Sequence, residues 1–160
     1  MRVSIIAVGR LKDGPERELF LKYTKRIDEA GRRIALGPVT LAEIPEARQA
    51  GAGQRRADEA ARLLARAEDA DLKIVLDERG KTMSSEAFAR WLESRRDGGL
   101  RGAAFLIGGP DGHGEAALAA GSLTLSLSPM TLPHGLARIV LAEQIYRAAT
   151  LLSGHPYHRA

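Results

Sequence analysis

The chain has 160 residues, of which 44% are hydrophobic and 28% are charged. These values are ordinary for a soluble globular protein, and the length suits a single domain over residues 1–160. The sequence has no cysteine, which excludes disulfides and thiolate chemistry. No apolar run approaches transmembrane length, and the N-terminus is too quickly polar for a signal peptide, so we expect a cytoplasmic protein. With 24 basic against 20 acidic residues, the net charge of +4 permits a nucleic-acid partner without requiring one.

Short apolar runs alternate with helical patterns over the first two thirds of the chain. Helical patterns begin at Pro15, cover 54–68, and run from a cap at Ser84 to the glycine pair at 98–99. The predicted strands are 3–8, 38–44, 72–77 and 103–107, and residues 78–81 are predicted to turn out of the third strand. This alternation favours a doubly wound α/β domain with a mainly parallel sheet and helices on both faces.

The last third of the chain begins with a strand pattern. Residues 122–128 alternate leucine with serine or threonine, which is typical of a strand. Two prolines follow, and Pro133 stands where a helix can begin. We therefore predict a strand, a short rigid loop and a helix. Loops at the carboxyl ends of strands are where ligands bind in α/β sheets, so we expect a site here rather than a plain connection.

A glycine-rich stretch at 108–114 follows the fourth predicted strand, as a phosphate-binding loop would. Residues 112–117 fit a loose form of the dinucleotide-binding fingerprint. A true fingerprint belongs to the first βαβ unit and needs an acidic residue about 20 positions on, and 133–137 contains none. A tight turn is the ordinary explanation for any one of these glycines. A nucleotide-dependent enzyme that uses the loop to bind phosphate remains an alternative. As a group, the glycines would let a ligand approach the backbone closely.

The predicted helix His134–Leu152 is apolar on nearly every side. Glu143 and Arg147 are four residues apart and form one narrow polar stripe. A helix this apolar is buried in a core or against a second subunit, and we favour a homodimer. Arg138 points away from the stripe, so an ion pair at an interface explains it as well as a catalytic role does.

The end of the chain is rich in rings and positive charge. Together with His134, His155 and His158 could suggest a metal site, but they make a poor zinc set without cysteine or a well-placed carboxylate. We therefore expect no metal. Tyr157, His158 and Arg159 suit stacking on a base and holding a phosphate, although a frayed terminus is the ordinary explanation.

Six motifs together resemble one family, the ribosomal large subunit methyltransferase H family of the SPOUT superfamily. They are 76–81, 84–86, 107–112, 125–134, 142–148 and 155–159. The resemblance covers essentially the whole chain and is tightest from Leu72 onward. Residues 59–60 are Glu-Ala where the family usually has Glu-Gly.

The resemblance implies a fold, a cofactor and a substrate. The fold is the α/β-knot of SPOUT type, in which the C-terminal part of the sheet forms a deep trefoil knot, a rare exception to unknotted topology. The methyl donor is S-adenosylmethionine, bound in the knot. The residues that match the family's cofactor pocket are Leu76, Gly108, Leu127, Ser128, Pro129, Met130, Thr131 and Leu132. The resemblance also implies a homodimer that methylates N3 of a pseudouridine in large-subunit (23S) ribosomal RNA on the assembled ribosome.

The implied chemistry is a direct displacement at an activated sulfonium methyl, which needs no metal. Because the N3–H of the base is weakly acidic, a general base or a stabilising cation is required. The candidate catalytic residues are His134, Arg138, Tyr157 and Arg159. Our hypothesis is that His134 positions or deprotonates the base, while Tyr157 and Arg159 clamp the nucleotide across the dimer. We expect the ribosomal surface to be recognised through the basic first helix and the tail.

A non-catalytic ribosome-binding or assembly factor is the remaining alternative. Such a protein would bind ribosomes without turning over a cofactor. The basic charge of the chain is consistent with this alternative, but the alternative does not explain the clustered motifs.

Overall fold

A computed structural model describes residues 1–157 as five strands, five α-helices and one short 3₁₀ turn at Arg32–Ile34. The strands are β1 (Arg2–Val8), β2 (Val39–Ile44), β3 (Leu72–Thr82), β4 (Gly102–Ile107) and β5 (Leu123–Ser126). The helices are α1 (Pro15–Gly31), α2 (Ala52–Arg66), α3 (Ser85–Asp97), α4 (Glu115–Ala120) and α5 (His134–Leu152). The predicted alternation of strands and helices is confirmed.

The strands form one sheet in the order β2-β1-β4-β3-β5, and every neighbouring pair is parallel. Because all five strands run the same way, their carboxyl ends meet at one edge of the sheet. The loops that the sequence marked as candidate sites, 108–114 and 127–133, both follow strands at this edge.

Two clusters of buried side chains place helices on both faces of the sheet, as predicted. Alternate strand residues such as Ile5 and Phe105 pack with α1, α3 and α5, whereas Ile6 and Leu106 pack with α2 and α4. The inner strands β1 and β4 are buried on both sides, which accounts for their nearly continuous apolar sequences.

The third strand is longer than predicted. Residues 78–81 were expected to turn away, but β3 continues to Thr82 because Lys81 and Thr82 pair with Leu125 and Ser126 of β5. Leu76 also pairs with Leu125, so residues 77–80 leave the regular register between the two paired segments. The excursion lies at the carboxyl edge of the sheet.

The fifth strand is shorter than predicted. It ends at Ser126, whereas the leucine alternation continues to Ser128. Ser126 Oγ donates a hydrogen bond to the Ser128 carbonyl at 3.0 Å, and the Met130 N–H donates to Ser128 Oγ at 3.0 Å. These local bonds turn the chain before the two prolines reach the helix.

The helix α5 begins at His134 and ends at Leu152, as predicted. It packs between α1 and α3 on the face of the sheet, and nine of its 19 residues are buried within this chain. No helix within residues 1–157 is long and apolar enough to cross a membrane.

Candidate functional site

A pocket of about 440 Å³ opens where β3, β4 and β5 end. Its walls are the 77–80 excursion, the glycine-rich loop and the loop before α5. The residues of the predicted cofactor set that line it are Leu76, Gly108, Leu127, Ser128, Met130, Thr131 and Leu132. Pro129 belongs to the same loop but is exposed and outside the lining. Three sequence-distant segments therefore meet at one edge of the sheet.

The glycine-rich loop presents backbone to this pocket. The Gly112 N–H donates to the Gly109 carbonyl at 2.9 Å, and Gly112 has a φ of 80°. A methyl group on Gly108 would come within 3.1–3.2 Å of Gly112 backbone atoms and the His113 ring. A side chain at Gly108 would therefore crowd the turn, and glycine keeps the wall thin.

His113 joins the glycine-rich loop to the end of β3. Its Nε2 lies 3.0 Å from the Leu76 carbonyl oxygen, which makes Nε2–H the donor. Burial lowers the pKa of His113 from its ordinary 6.5, so the neutral ring is favoured. Nδ1 is buried and has no hydrogen-bond partner among residues 1–157. The sequence interpretation gave this histidine no role.

The helix α2 holds the glycine-rich loop from behind. Arg55 pairs with Asp111 in a bidentate arrangement, with Nε–Oδ2 at 2.6 Å and Nη2–Oδ1 at 3.2 Å. The hydrogen bond from Arg55 lowers the pKa of Asp111. One turn later, buried Glu59 accepts the Ala47 N–H at 2.8 Å and lies beneath Gly109. This helix had been predicted, but its part in shaping the pocket depends on non-local contacts.

The opposite wall is polar. Thr131 Oγ1 donates to Glu78 Oε2 at 2.8 Å, which connects the two loops across the pocket mouth. Asp77 is paired with Arg79 at 3.1 Å, and that hydrogen bond lowers the pKa of Asp77. Met130 stands at the rim with 76% of its surface exposed. Sequence reasoning missed Asp77 and Glu78 as lining residues, although their position just after a strand could have indicated them.

His134 lies between two pockets. It is the first residue of α5, it is half-buried, and it lines both the 440 Å³ pocket and a second pocket of about 610 Å³. The second pocket is bounded by residues 8–16, Glu46 and the start of α5. Of the candidate catalytic residues, His134 is placed beside the cofactor-matching residues.

Arg138 makes its ion pair inside the chain rather than across an interface. Its side chain is 2% exposed, and Nη1 lies 2.8 Å from Glu43 Oε1. Nη2 donates to the carbonyls of Val8 and Gly9, both at 2.8 Å. Arg138 lines the second pocket and not the first, so these contacts give it a role in fixing the loop after β1.

Tyr157 packs against its own α5, at a distance from the first pocket. Its hydroxyl donates to Glu143 Oε1 at 3.3 Å, its ring centroid is 4.6 Å from that of Tyr146, and the Arg147 guanidinium lies 5.0 Å from its ring centre. Burial raises the pKa of Tyr157 to about 12. The predicted tail residues His158 and Arg159 lie outside the described residues. Within residues 1–157, no group of three or more His, Asp or Glu side chains is placed to hold a metal ion.

Comparison with known proteins identifies the family. A family model described as a predicted SPOUT methyltransferase matches residues 1–158. The chain belongs to this SPOUT methyltransferase family. It is 49% identical over 160 residues to the ribosomal RNA large subunit methyltransferase H of Brucella anthropi, covering 100% of both chains. It is 48% identical to the protein of the same name from Bradyrhizobium diazoefficiens, also over 100% of both. The family expected from the motifs is thus confirmed.

A solved structure supports the same fold. The structure of a probable methylase family protein from Haemophilus influenzae Rd KW20 aligns with a TM-score of 0.57, covering 99% of this chain and 70% of that one. The two sequences are 11% identical, so this likeness concerns the fold alone.

Proposed function

We propose that this protein transfers a methyl group from S-adenosylmethionine to N3 of a pseudouridine in large-subunit (23S) ribosomal RNA on the assembled ribosome. The observation that carries the proposal is the pocket at the carboxyl edge, which gathers seven of the eight residues matching the family's cofactor pocket. The full-length relatives named as ribosomal RNA large subunit methyltransferases support the substrate class. Action on ribosomes would place the protein in the cytoplasm.

The residues of the first pocket fit S-adenosylmethionine. A volume of about 440 Å³ lies within the range of roughly 300–1,000 Å³ that is typical of small-ligand sites. Leu76 and Leu127 offer apolar surface for a purine, and the thin wall at Gly108 lets a ligand approach backbone. Asp77 and Glu78 offer acceptors for hydroxyl and ammonium groups. When bound, this cofactor supplies a methyl group that is already activated as a sulfonium.

The chain's own task is to align the acceptor and to take its proton. As the N3–H bond breaks and the N3–C bond forms, the N3 proton must pass to a base, and the electron pair of the methyl–sulfur bond returns to sulfur. His134 is the residue placed to accept the proton or to orient the base, because it borders the cofactor-matching residues. The direct displacement requires no metal ligand.

We also infer a trefoil knot in the C-terminal part of the chain. Three features support it: membership of the SPOUT family, the two-segment pairing of β3 with β5, and the 77–80 excursion between those segments. The knot would hold the three pocket walls at fixed separations. A shift of one wall would require the segment that passes through the knot to move with it. This would make the cofactor site rigid before the ligand binds.

We infer a homodimer in which the tail of one subunit completes the pocket of the other. Exposed leucines on α1 and α5 offer apolar surface for a partner: Leu19 is 40% exposed, Leu21 52% and Leu136 43%. Tyr157 is bonded to Glu143, nine residues along α5 from His134, which is about 14 Å at the helical rise. This separation supports a role for Tyr157 at the partner's site rather than at its own.

The deciding experiment is methyl transfer from labelled S-adenosylmethionine to purified ribosomes from a strain lacking this protein, with digestion to locate the label. We expect label on N3 of a pseudouridine in large-subunit RNA. Cofactor binding without label on ribosomes would contradict the substrate and point to another RNA. Failure to bind the cofactor would overturn the methyltransferase proposal and favour a nucleotide-dependent enzyme or an assembly factor.

The tail is tested by the double variant Tyr157→Phe/Arg159→Ala in the same assay. We expect reduced turnover or reduced affinity for ribosomes, while cofactor affinity stays within about twofold, a change too small to reflect a lost contact. Arg90→Ala, which removes an exposed charge from α3, is the control. Unchanged turnover and ribosome affinity in the double variant would rule out a clamp formed by these two side chains.

A further inference from the structure

The second pocket adjoins the proposed methyl-donor pocket through a shared side chain. It has a volume of about 610 Å³, and His134 lines both pockets. A group held in the second pocket would therefore lie next to the cofactor-matching residues. Methyl transfer needs the acceptor in direct contact with the donor, with the residue that handles the proton beside them.

The wall of this pocket is held in a fixed shape. The Leu11 N–H donates to Glu43 Oε1 at 2.7 Å, and the same oxygen accepts from Arg138. Arg138 also binds the carbonyls of Val8 and Gly9, and Gly9 has a φ of 85°, which favours glycine. The loop after β1 is thus held at its base by the ion pair between buried Arg138 and half-buried Glu43, as a preformed binding wall requires.

Two cations at the rim of the pocket are available for a ligand. Arg10 and Lys12 line the pocket, are exposed, and make no hydrogen bond or ion pair with any residue in 1–157. Nearby Arg17 is different, because it lies 3.5 Å from Asp13. Unpaired cations beside a pocket suit the phosphates that flank a nucleotide.

The pocket lining also carries carboxylates. Glu16 and Glu46 both line it and are exposed, and the Glu16 carboxylate lies so close to Gly135 that a methyl group there would meet it. Carboxylates accept hydrogen bonds from N–H groups, and a pseudouracil ring presents two of them. Cations and carboxylates in one pocket match a nucleotide, whose phosphates would bind Arg10 and Lys12 and whose base would donate to the carboxylates.

We propose that the second pocket receives the nucleotide to be methylated, with its base beside His134 and its flanking phosphates at Arg10 and Lys12. This inference rests on the proposed function and adds the acceptor's position to it. The target base would have to leave its stack to enter the pocket, as bases do in other enzymes that modify them. Arg138 is then a positioning residue, which acts on the acceptor through the loop that it fastens.

The rim is tested with Arg10→Ala/Lys12→Ala against Arg66→Ala/Arg90→Ala, which removes two exposed arginines away from the carboxyl edge. Filter binding to unmodified ribosomes, methyl transfer and calorimetric binding of S-adenosylmethionine are measured for each. The rim variant should bind ribosomes about tenfold more weakly, with a salt dependence reduced by about two ions. Cofactor affinity should be unchanged. Equal losses in both double variants would overturn the assignment.

Occupation of the pocket is tested with Glu46→Trp against Arg48→Trp, two exposed positions of one loop, of which only Glu46 lines the pocket. Glu46→Trp should block methyl transfer while cofactor affinity stays at the wild-type value. This change removes a negative charge and so favours RNA binding electrostatically, which means that a loss of transfer reports occupied space. Full transfer by Glu46→Trp would overturn the assignment. A wild-type protein that labels no ribosomal RNA would instead contradict the proposed function.

Discussion

Gly80 of β3 lies in backbone contact with Thr124 of β5. A methyl group on Gly80 would come within 2.8 Å of the Thr124 carbonyl carbon and oxygen, and equally close to the Leu125 carbonyl carbon. The contact occurs where β3 rejoins β5 after the 77–80 excursion. Since both partners are backbone, neither can move aside as a flexible side chain would.

Gly80→Ala should therefore destabilise the protein. We expect a loss of about 2 kcal/mol or more in the free energy of unfolding, because the two strands would have to separate. Urea denaturation followed by circular dichroism measures it. Gly53→Ala, in the first turn of α2 with open space around it, is the matched control and should be neutral or stabilising. Equal stability of the two variants would show that the strands tolerate separation at Gly80.

Replacing Arg138 separates its structural role from a catalytic one. Arg138→Met removes the cation beside half-buried Glu43, which keeps only the Leu11 N–H, and removes the donor to two carbonyls, so the free energy of unfolding should fall by about 3 kcal/mol. Arg147→Met breaks the more exposed pair with Glu143 and should cost less than about 1 kcal/mol. Chemical denaturation compares the two. Wild-type stability of Arg138→Met, with methyl transfer abolished, would argue for direct catalysis instead.

The clamp between α2 and the glycine-rich loop should affect cofactor binding. Arg55→Ala frees Asp111 and the Gln49 and Ala50 carbonyls, so the wall at 108–112 loses its support. We expect affinity for S-adenosylmethionine to fall by about tenfold through this loss of pre-organisation. Isothermal titration calorimetry gives the value.

Arg62→Ala is the control for the clamp, because it breaks an ion pair with Asp58 and a hydrogen bond to the Pro45 carbonyl without touching the glycine-rich loop. It should leave the affinity close to that of the wild type. Equal weakening in both variants would mean that α2 as a whole, and not the Arg55–Asp111 pair, supports the pocket.

His113 should make stability depend on pH. Its pKa in the folded protein lies below 6.5, so between that lowered value and 6.5 the unfolded chain binds a proton that the folded chain does not. The free energy of unfolding is therefore at its full value above pH 6.5 and falls as the pH drops through this window. Thermal unfolding from pH 5 to 8 tests this.

The variant His113→Gln supplies the comparison, since its amide can still donate to the Leu76 carbonyl but does not titrate. The decline below pH 6.5 should be smaller in the variant than in the wild type. Identical pH profiles would show that His113 does not cause the decline.

Local patterns determined much of this fold. The helix α5 was predicted with both ends correct, because Pro133 starts it and its apolar sequence is continuous. The cap was also correct, as Ser84 Oγ accepts the Ala87 N–H at 3.2 Å. Such features depend on residues a few positions apart, which a sequence displays directly.

The extent of β3 and β5 could not be predicted in this way. Residues 78–81 have the composition of a turn, yet β3 continues to Thr82 because it pairs with a strand more than forty residues later. In contrast, β5 ends early because serine hydroxyls turn the chain. Non-local pairing outweighed local propensity in the first case.

The sequence by itself determined the family, the parallel order of strands and helices, and seven residues that line one pocket, because motifs and periodicity are properties of neighbouring residues. Only the tertiary structure decided that Arg138 pairs with Glu43, 95 positions away, and that Tyr157 lies against Glu143 instead of beside His134. It alone placed His134 between two pockets. Contacts between distant segments depend on how the sheet brings the strand ends together, and no local pattern records them.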